Sequence, residues 1–371
     1  MARVARGFDL QPTAERSPVL LGDLDYAIFT ELQRDGRIPF TTLAERLGVS
    51  EAHVRRRVKS LTDADVFSIV AVADPRVLGL DYMAWVALVV RHPATVAVAE
   101  ALAVLPEVDY VVITSGEFNV MAEVACRSSA DLYHLLLRLR AIPGVQRTET
   151  FAYLDLVRQQ FQWALDDGCG GAHVGAADGV HGDASELESI DIEIIGELQR
   201  DGRAPFRQLA ERLGVSERLV STRFAQLVEK NALQVIAVGN PLTLGFGAMA
   251  WLGIRLGEGA DNQAVAVALA RVRGLDYVVV PAGRYDVMAE LVCRNREDLL
   301  TTLERDVGAI EGIANVETFF YLRLLYKSAA GAWGAARSLA VAQPGDVTSP
   351  GRAPRARSGP DGRPRPARKR K

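Results

Sequence analysis

Cysteine and histidine are scarce in this chain, three and five among 371 residues. So few cysteines, so widely spaced, exclude a disulfide framework and a thiolate metal cluster. Cys126 ("VACRS") and Cys293 ("LVCRN") lie in strand-like runs and are expected to be buried thiols. Cys169, with His173 and His181 nearby, fits no usual zinc spacing, so no metal site is assigned. Long apolar runs are also missing. Stretches such as Tyr82 to Val90 fall far short of the roughly 20 residues a membrane-crossing helix needs, so no membrane partner is expected. The opening "MARVARGFDLQPTAERSP" has basic residues but no apolar core, and a cytoplasmic location is the expectation. No nucleophile–base pair, phosphate-cradling glycine loop or matched carboxylate pair stands out. No catalytic residue, enzymatic activity or cofactor is therefore assigned.

Positive charge is short overall, with a net charge of −3, but it is unevenly placed. From Pro344 onward nine Lys or Arg face two Asp, leaving the tail near +7 and the body near −10. An acidic body still permits a nucleic-acid partner where local basic helices face the phosphates.

What is present is a duplication. "LQRDGRIPFTTLAERLGVS" from Leu32 returns as "LQRDGRAPFRQLAERLGVS" from Leu198, with 16 of 19 letters identical. "IVAVADPRVLGLDYMAWVAL" from Ile69 answers "VIAVGNPLTLGFGAMAWLGI" from Val235, and "ETFAYL" from Glu149 answers "ETFFYL" from Glu317, the offset drifting only from 166 to 168. Between the copies, "DDGCGGAHVGAADGVHGDAS" has the Gly and Ala content of a flexible linker. The Pro-, Gly- and Arg-rich last 28 residues are expected to be disordered.

Each copy opens with helical spacing. Leu24, Ile28 and Leu32 form one stripe, Leu43, Ala44 and Leu47 a second, Val54, Val58 and Leu61 a third. Asp25 and Asp191 are expected to cap the first helix, Ser50 and Ser216 the third, with Asp65 and Asn231 turning the chain beyond it. The remainder alternates: strand 82–90, helix 94–105, strands 110–114 and 120–125, helix 131–140, strand 145–157. That β-α-β-β-α-β order predicts a ferredoxin-like layer whose bare apolar face the other copy can cover.

Phe40 to Leu61 has the anatomy of a helix-turn-helix, with a tight turn at Gly48-Val49-Ser50. Its second helix points Glu51, Ala52, His53, Arg55, Arg56 and Lys59 outward, with Arg57 at the margin. The counterparts in the second copy are Glu217, Arg218, Leu219, Ser221, Thr222 and Gln226, with Arg223 matching Arg57. His53, Arg55, Arg56, Arg57, Lys59, Arg218, Ser221, Thr222 and Arg223 are the candidate contacts to double-stranded DNA, where Arg pairs with guanine and Lys neutralises phosphate.

The succession "LDYAIFTELQRDGRIPFTTLAERLGVSEAHVRRRVKSL", "AVADPRVLG", "SGEFNVMAEV", "PGVQRTETFAYL" resembles the Lrp/AsnC (feast/famine) transcriptional regulators, over nearly the full length of both copies. The resemblance implies an α+β fold: two copies of a winged helix-turn-helix plus a ferredoxin-like βαββαβ ligand-binding domain. Sheets of such domains pair to form dimers. Ordinary members carry one copy, so this chain is expected to act as an intramolecular pseudo-dimer and to assemble further as a homo-oligomer. The expected boundaries are 1–20 tail, 21–66 helix-turn-helix, 67–161 effector domain, 162–186 linker, 187–232 helix-turn-helix, 233–328 effector domain and 329–371 basic tail. The family's effectors, small metabolites such as amino acids, bind near a "G-D-Y-D"-like loop. The matching residues are Gly116, Glu117, Phe118 and Asn119, then Gly283, Arg284, Tyr285 and Asp286, with Thr150 and Thr318 on the last strands. By residues alone these loops also read as β-turns with a glycine and a packing aromatic. Some similar proteins are sirohaem decarboxylases that use His and Arg side chains. Here only His92 and His134 fall in the ligand-binding halves, neither with a counterpart, which disfavours that activity. A third expectation, a co-regulator that pairs with family members without touching DNA, rests on the loss of basic residues from the second recognition helix.

Overall fold

The computed structural model describes residues 21–64, 66–73, 75–159, 187–230, 232–239 and 241–326. The expectations for linker, tails, Cys169, Asp65 and Asn231 lie outside the described residues.

The first copy opens with α1 (Asp23–Arg34), α2 (Phe40–Leu47) and α3 (Glu51–Asp63). Their stripes are buried: Ile28, Phe29 and Leu32 on α1, Leu43 and Ala44 on α2, Val54, Val58 and Leu61 on α3. Gly48 ends α2 in the left-handed conformation (φ 67°) that a glycine adopts without a Cβ penalty. Ser50 then caps α3 by accepting from the His53 N–H. Asp25 is not the cap of α1. It stands at the third helical position, and its carboxylate reaches back to accept from the N–H of Gly22, the N-cap.

Strand β1 (Phe67–Ala73) follows, then β2 (Tyr82–Val90), α4 (Thr95–Ala103), β3 (Val108–Thr114), β4 (Val120–Cys126), α5 (Ser129–Arg140) and β5 (Val145–Gln159). The second copy repeats this as α6 (Ser189–Leu198), α7 (Phe206–Leu213), α8 (Glu217–Glu229), β6 (Leu233–Gly239), β7 (Ala248–Leu256), α9 (Asn262–Leu269), β8 (Leu275–Ala282), β9 (Val287–Cys293), α10 (Arg296–Thr301) and β10 (Ile313–Tyr326). Asp191, like Asp25, is third in its helix, behind the N-cap Glu188, and Ser216 caps α8.

Strand β1 pairs antiparallel with β6, from Phe67↔Gly239 to Ala73↔Leu233, in a two-stranded sheet of its own. The division expected at residue 67 assigned β1 to the effector domain. In the structure it makes no ladder with those strands, and Phe67, Ile69 and Ala71 pack in one core with helices of both copies. The alternate residues Val70, Val72, Ile236 and Val238 form a small cluster of their own, as the period of two requires.

The other eight strands close a barrel in the order β10-β3-β4-β2-β5-β8-β9-β7. Each copy supplies a ferredoxin-like four-strand sheet. The expected packing of one sheet over the other's bare face is joined by something more: the last strands are long, 15 and 14 residues, and cross between sheets. Strand β5 runs along β2 and then along β8, shifting register after Tyr153, while β10 joins β7 to β3. Among the described residues, closure leaves the barrel itself without an open edge. Helices α4 and α5 cover the outside of one sheet, α9 and α10 the other. The interior holds Trp85, Trp251, Phe151, Phe319 and Tyr277. Burial drives these elements together, at about 25 cal/mol per Å² of apolar surface. The Trp85 and Trp251 rings meet at 4.5 Å between centroids.

Two glutamates sit in that interior. Glu123 accepts from Tyr153 of its own copy at 2.8 Å and from Tyr277 of the other at 2.5 Å. Glu290 mirrors it, accepting from Tyr321 and Tyr110. Burial, reinforced by the nearby Asp109 charge, pushes the Glu123 carboxyl up to about 8, and burial raises Glu290 as well.

Candidate DNA-binding face and effector loops

Helix α3 buries Val54, Val58 and Leu61, which turns Ala52, His53, Arg55, Arg56 and Lys59 outward. Glu51, Ala52, Arg55, Arg56 and Lys59 line a shallow open depression on that face. Arg55 pairs with Glu51 at 2.5 Å and Lys59 with Asp63 at 2.6 Å, each one turn away on the same helix. Such exposed pairs are weak, so both cations can be drawn to a phosphate at little cost. Arg56 is exposed and makes no ion pair among the described residues. On α8 the outward positions carry Arg218, Leu219, Ser221 and Thr222, with Leu219 40% exposed. One face is strongly cationic. The other offers one arginine, two hydroxyls and an apolar side chain.

Arg57 and Arg223 require a correction. Rather than facing DNA, Arg57 turns back onto the buried Asp25, donating from Nε and Nη2, the latter at 2.6 Å. Arg223 does the same to Asp191, with Nε at 2.7 Å, and reaches Glu188 at 2.8 Å. The physical reason is the acid at the third helical position. Its carboxylate is 4% exposed or less, and burying it without a cation is costly. The pairing holds the Asp25 carboxyl below its ordinary range and raises both guanidinium values. These arginines tie the recognition helix to the first helix.

Arg37 and Arg203, which no sequence pattern marks as functional, reach from one copy's α1–α2 or α6–α7 loop to the backbone of the other's. The one available signal is their identity within the repeated "RDGR".

The effector loops connect β3 to β4 and β8 to β9. Gly116 and Gly283 take positive φ, 107° and 153°, and each faces a ring of the other copy: a Cβ on Gly116 would stand 3.5 Å from Phe319, one on Gly283 2.8 Å from Phe151. Phe118 and Tyr285 are buried among those rings, and the Tyr285 hydroxyl donates to Glu317 at 2.6 Å. Asn119 and Asp286 differ in charge, but they do the same work. Asn119 Oδ1 accepts from Val90 N at 2.7 Å, and Asp286 Oδ2 from Leu256 N at 2.8 Å. One oxygen of Asp286 is thus engaged with backbone. Thr150 and Thr318 are half-buried on β5 and β10.

The charged loop residues meet across the two copies. Arg284 donates to Glu117 at 2.7 Å and from Nε to Glu149 at 2.6 Å, and Arg147 pairs with Glu117. The two arginines hold the Glu117 carboxyl below its usual range. Among the described residues no group of three or more His, Cys, Asp or Glu is arranged to hold a metal, and no helix is long and apolar enough to cross a membrane.

Comparison with known proteins bears on both faces. Residues 21–62 and 187–228 match the AsnC-type helix-turn-helix domain, and residues 84–162 and 248–330 match the Lrp/AsnC ligand binding domain. Over 141 residues the chain is 28% identical to the HTH-type transcriptional regulator FL11 of Pyrococcus furiosus, covering 38% of this chain and 93% of that protein. It is likewise 28% identical over 141 residues to the regulatory protein AsnC of Escherichia coli, 36% of this chain and 91% of that one. Among solved structures it is similar to the siroheme decarboxylase NirDL, with a TM-score of 0.53 at 20% identity over 86% of this chain and 99% of the other, a likeness of fold alone. With both domain models matched twice, in order, the chain belongs to the Lrp/AsnC family of DNA-binding transcriptional regulators and carries the family's domain pair in duplicate.

Proposed function

We propose that one chain is a complete reader of DNA: an intramolecular pseudo-dimer that sets α3 and α8 on two half-sites about one helical turn, roughly 34 Å, apart, under the control of a small metabolite. The observation that carries this reading is the common core. Helices of both copies pack on the β1–β6 ladder, so the two recognition helices ride on one body. The tether turns a bimolecular pairing into an internal one, with millimolar-order effective concentration. His53, Arg55, Arg56 and Lys59 hold phosphate and bases on one side, Arg218, Ser221 and Thr222 on the other. The unequal faces favour an imperfect palindrome. The effector, a compound such as an amino acid, acts at the β3–β4 and β8–β9 loops. There Glu117, Glu149 and Arg284 offer groups of both signs that a zwitterion would satisfy. Further assembly joins such chains into a homo-oligomer.

The test is DNase footprinting on the region upstream of the protein's own gene, with and without a pool of amino acids. Two protected half-sites one turn apart, altered by the pool, are expected. Absence of protection at low salt there and on random fragments overturns direct reading and leaves the co-regulator.

A further inference from the structure

Arg37 and Arg203 are placed unlike the other arginines of the helical units. Arg37 leaves the α1–α2 loop and crosses to the second copy, where Nη1 donates to the Gly202 carbonyl at 2.6 Å and Nη2 to that of Ala204 at 3.2 Å. Arg203 returns the gesture, donating to the carbonyls of Gly36 at 2.7 Å and Ile38 at 3.0 Å. Neither guanidinium forms an ion pair among the described residues. Each is instead stacked: Arg37 lies 4.4 Å from the Phe206 ring centre and 5.4 Å from Phe224, and Arg203 lies 4.1 Å from Phe40. A forked, planar cation is needed to bridge two carbonyls while lying flat on a ring, which the point charge of a lysine cannot reproduce.

The loops are built for this contact. Asp35 and Asp201 fix them by accepting from the Arg37 and Arg203 N–H groups at 2.8 and 3.0 Å. The Gly36 N–H donates to Val235 of β6 at 2.7 Å, and the Gly202 N–H to Ile69 of β1 at 2.9 Å. A Cβ at either glycine would come within 2.9 Å of those carbonyl oxygens. Each loop is thus pressed against the other copy's strand while its arginine grips the other copy's loop.

The rings that receive the arginines belong to the DNA-reading elements. Phe40 and Phe206 open α2 and α7, and Phe224 lies on α8 itself. Arg55 of α3 also stands against Phe40, 5.2 Å from its centre. We propose that Arg37 and Arg203 are positioning residues for DNA recognition, a reciprocal clasp that sets the separation and orientation of α3 and α8 and thereby the half-site spacing this chain accepts. The proposal rests on the pseudo-dimer reading above. A rival role, direct attraction of phosphate, predicts that charge alone matters.

The experiment compares the full chain with R37A/R203A and R37K/R203K on duplexes carrying the two half-sites at the footprinted spacing, and at spacings changed by one, two and five base pairs. The unaltered chain is expected to prefer one spacing by about tenfold or more. Both double variants are expected to lose most of that preference while keeping their affinity for a single half-site. Retained preference in R37A/R203A overturns the clasp. So does a lysine variant that matches the unaltered chain where the alanine variant fails, since that is the behaviour of a phosphate contact. An unaltered chain that binds none of the duplexes overturns the DNA reading itself, and the two failures are thereby distinguished. A second measurement needs no DNA. Spin labels on S60C and A225C, in a C169S background, should show a broader α3–α8 distance distribution in both double variants, and an unchanged distribution overturns the proposal.

Discussion

Helices α3 and α8 are thirteen residues each, capped by the same serine, and tied down by the same Arg–Asp pair. Their outward faces share little: three cations with His53 on α3, against Arg218, Leu219, Ser221 and Thr222 on α8. The effector halves divide the same way. Glu123 and Glu290, each held by one tyrosine from either copy, are equivalent, while Glu117 and its counterpart Arg284 carry opposite charges. Where the copies bury each other, a change on one side must be answered on the other. Where they face solvent, they have been free to diverge, and a fused chain can hold two different halves in register.

The largest effect that would break this comparison lies in the buried acids. Glu123 and Asp276 have carboxyls pushed up to about 8 by burial, Asp276 despite facing Arg158. Unfolded carboxylates titrate near 4, so between roughly pH 4 and 8 the folded chain holds protons that the unfolded chain has released. Stability is fully present at the acid end of that window, falls as pH rises through it, and levels off above about 8. For Glu123 the loss over the whole window is on the order of 5 kcal/mol. Urea unfolding from pH 5 to 9 should show the decline, and E123Q should flatten its share. A stability that climbs over this range contradicts buried, protonated acids.

Next in size are R57A and R223A. Removing either arginine strands an acid that is almost wholly buried, at a cost of about 2–3 kcal/mol, discounted from the roughly 3–5 typical of fully buried pairs because the guanidinium edges reach solvent. The two variants should be equally destabilised by urea titration. A folded, fully stable R57A with weakened DNA affinity as its sole defect would return Arg57 to the recognition face.

The helical stripes, the serine caps and the strand–helix alternation are legible because each is written in residues close together: Val54, Val58 and Leu61 follow one helical period, and β2 and β4 keep nearly their expected ends. Arg57 is not, because its partner lies 32 residues away, and an outward-leaning cation looks the same whether an acid or a phosphate receives it. Tyr285 and Phe118 read as pocket residues. The rings that bury them, Phe151 and Phe319, come partly from the other copy, which no local pattern records. The β1–β6 ladder and the crossing of β5 and β10 between sheets are likewise long-range pairings. The repeat announces that two copies exist; it does not say which edges meet.

On the diverged faces the expected effects are smaller. R55A/R56A should weaken DNA binding about tenfold or more and reduce the salt slope by about 0.9 for each phosphate no longer neutralised. S221A/T222A should leave the slope unchanged, because hydroxyls release no counterions, and alter only base preference. Equal slopes for the two variants would mean that the faces are electrostatically alike.

The smallest effect is the most particular to this chain. Residues 117 and 284 are counterparts that touch each other, so in an assembly of identical copies the same charge would meet itself. Here Arg284 meets Glu117 and also Glu149, whose counterpart Glu317 lies on the other side, against Tyr285. R284E would gather acids around Glu117 and Glu149, and E117R would place two cations together beside Arg147. Either should cost about 0.5–1 kcal/mol at low salt and less as salt rises, since the pair is about one-third exposed. The exchanged pair E117R/R284E should recover most of that loss, because the local symmetry offers the moved arginine Glu317 in place of Glu149. A double-mutant cycle by urea unfolding at two salt concentrations measures the coupling. A coupling near zero at both would mean that the opposite charges reflect drift at a tolerant surface and play no part in matching one half to the other.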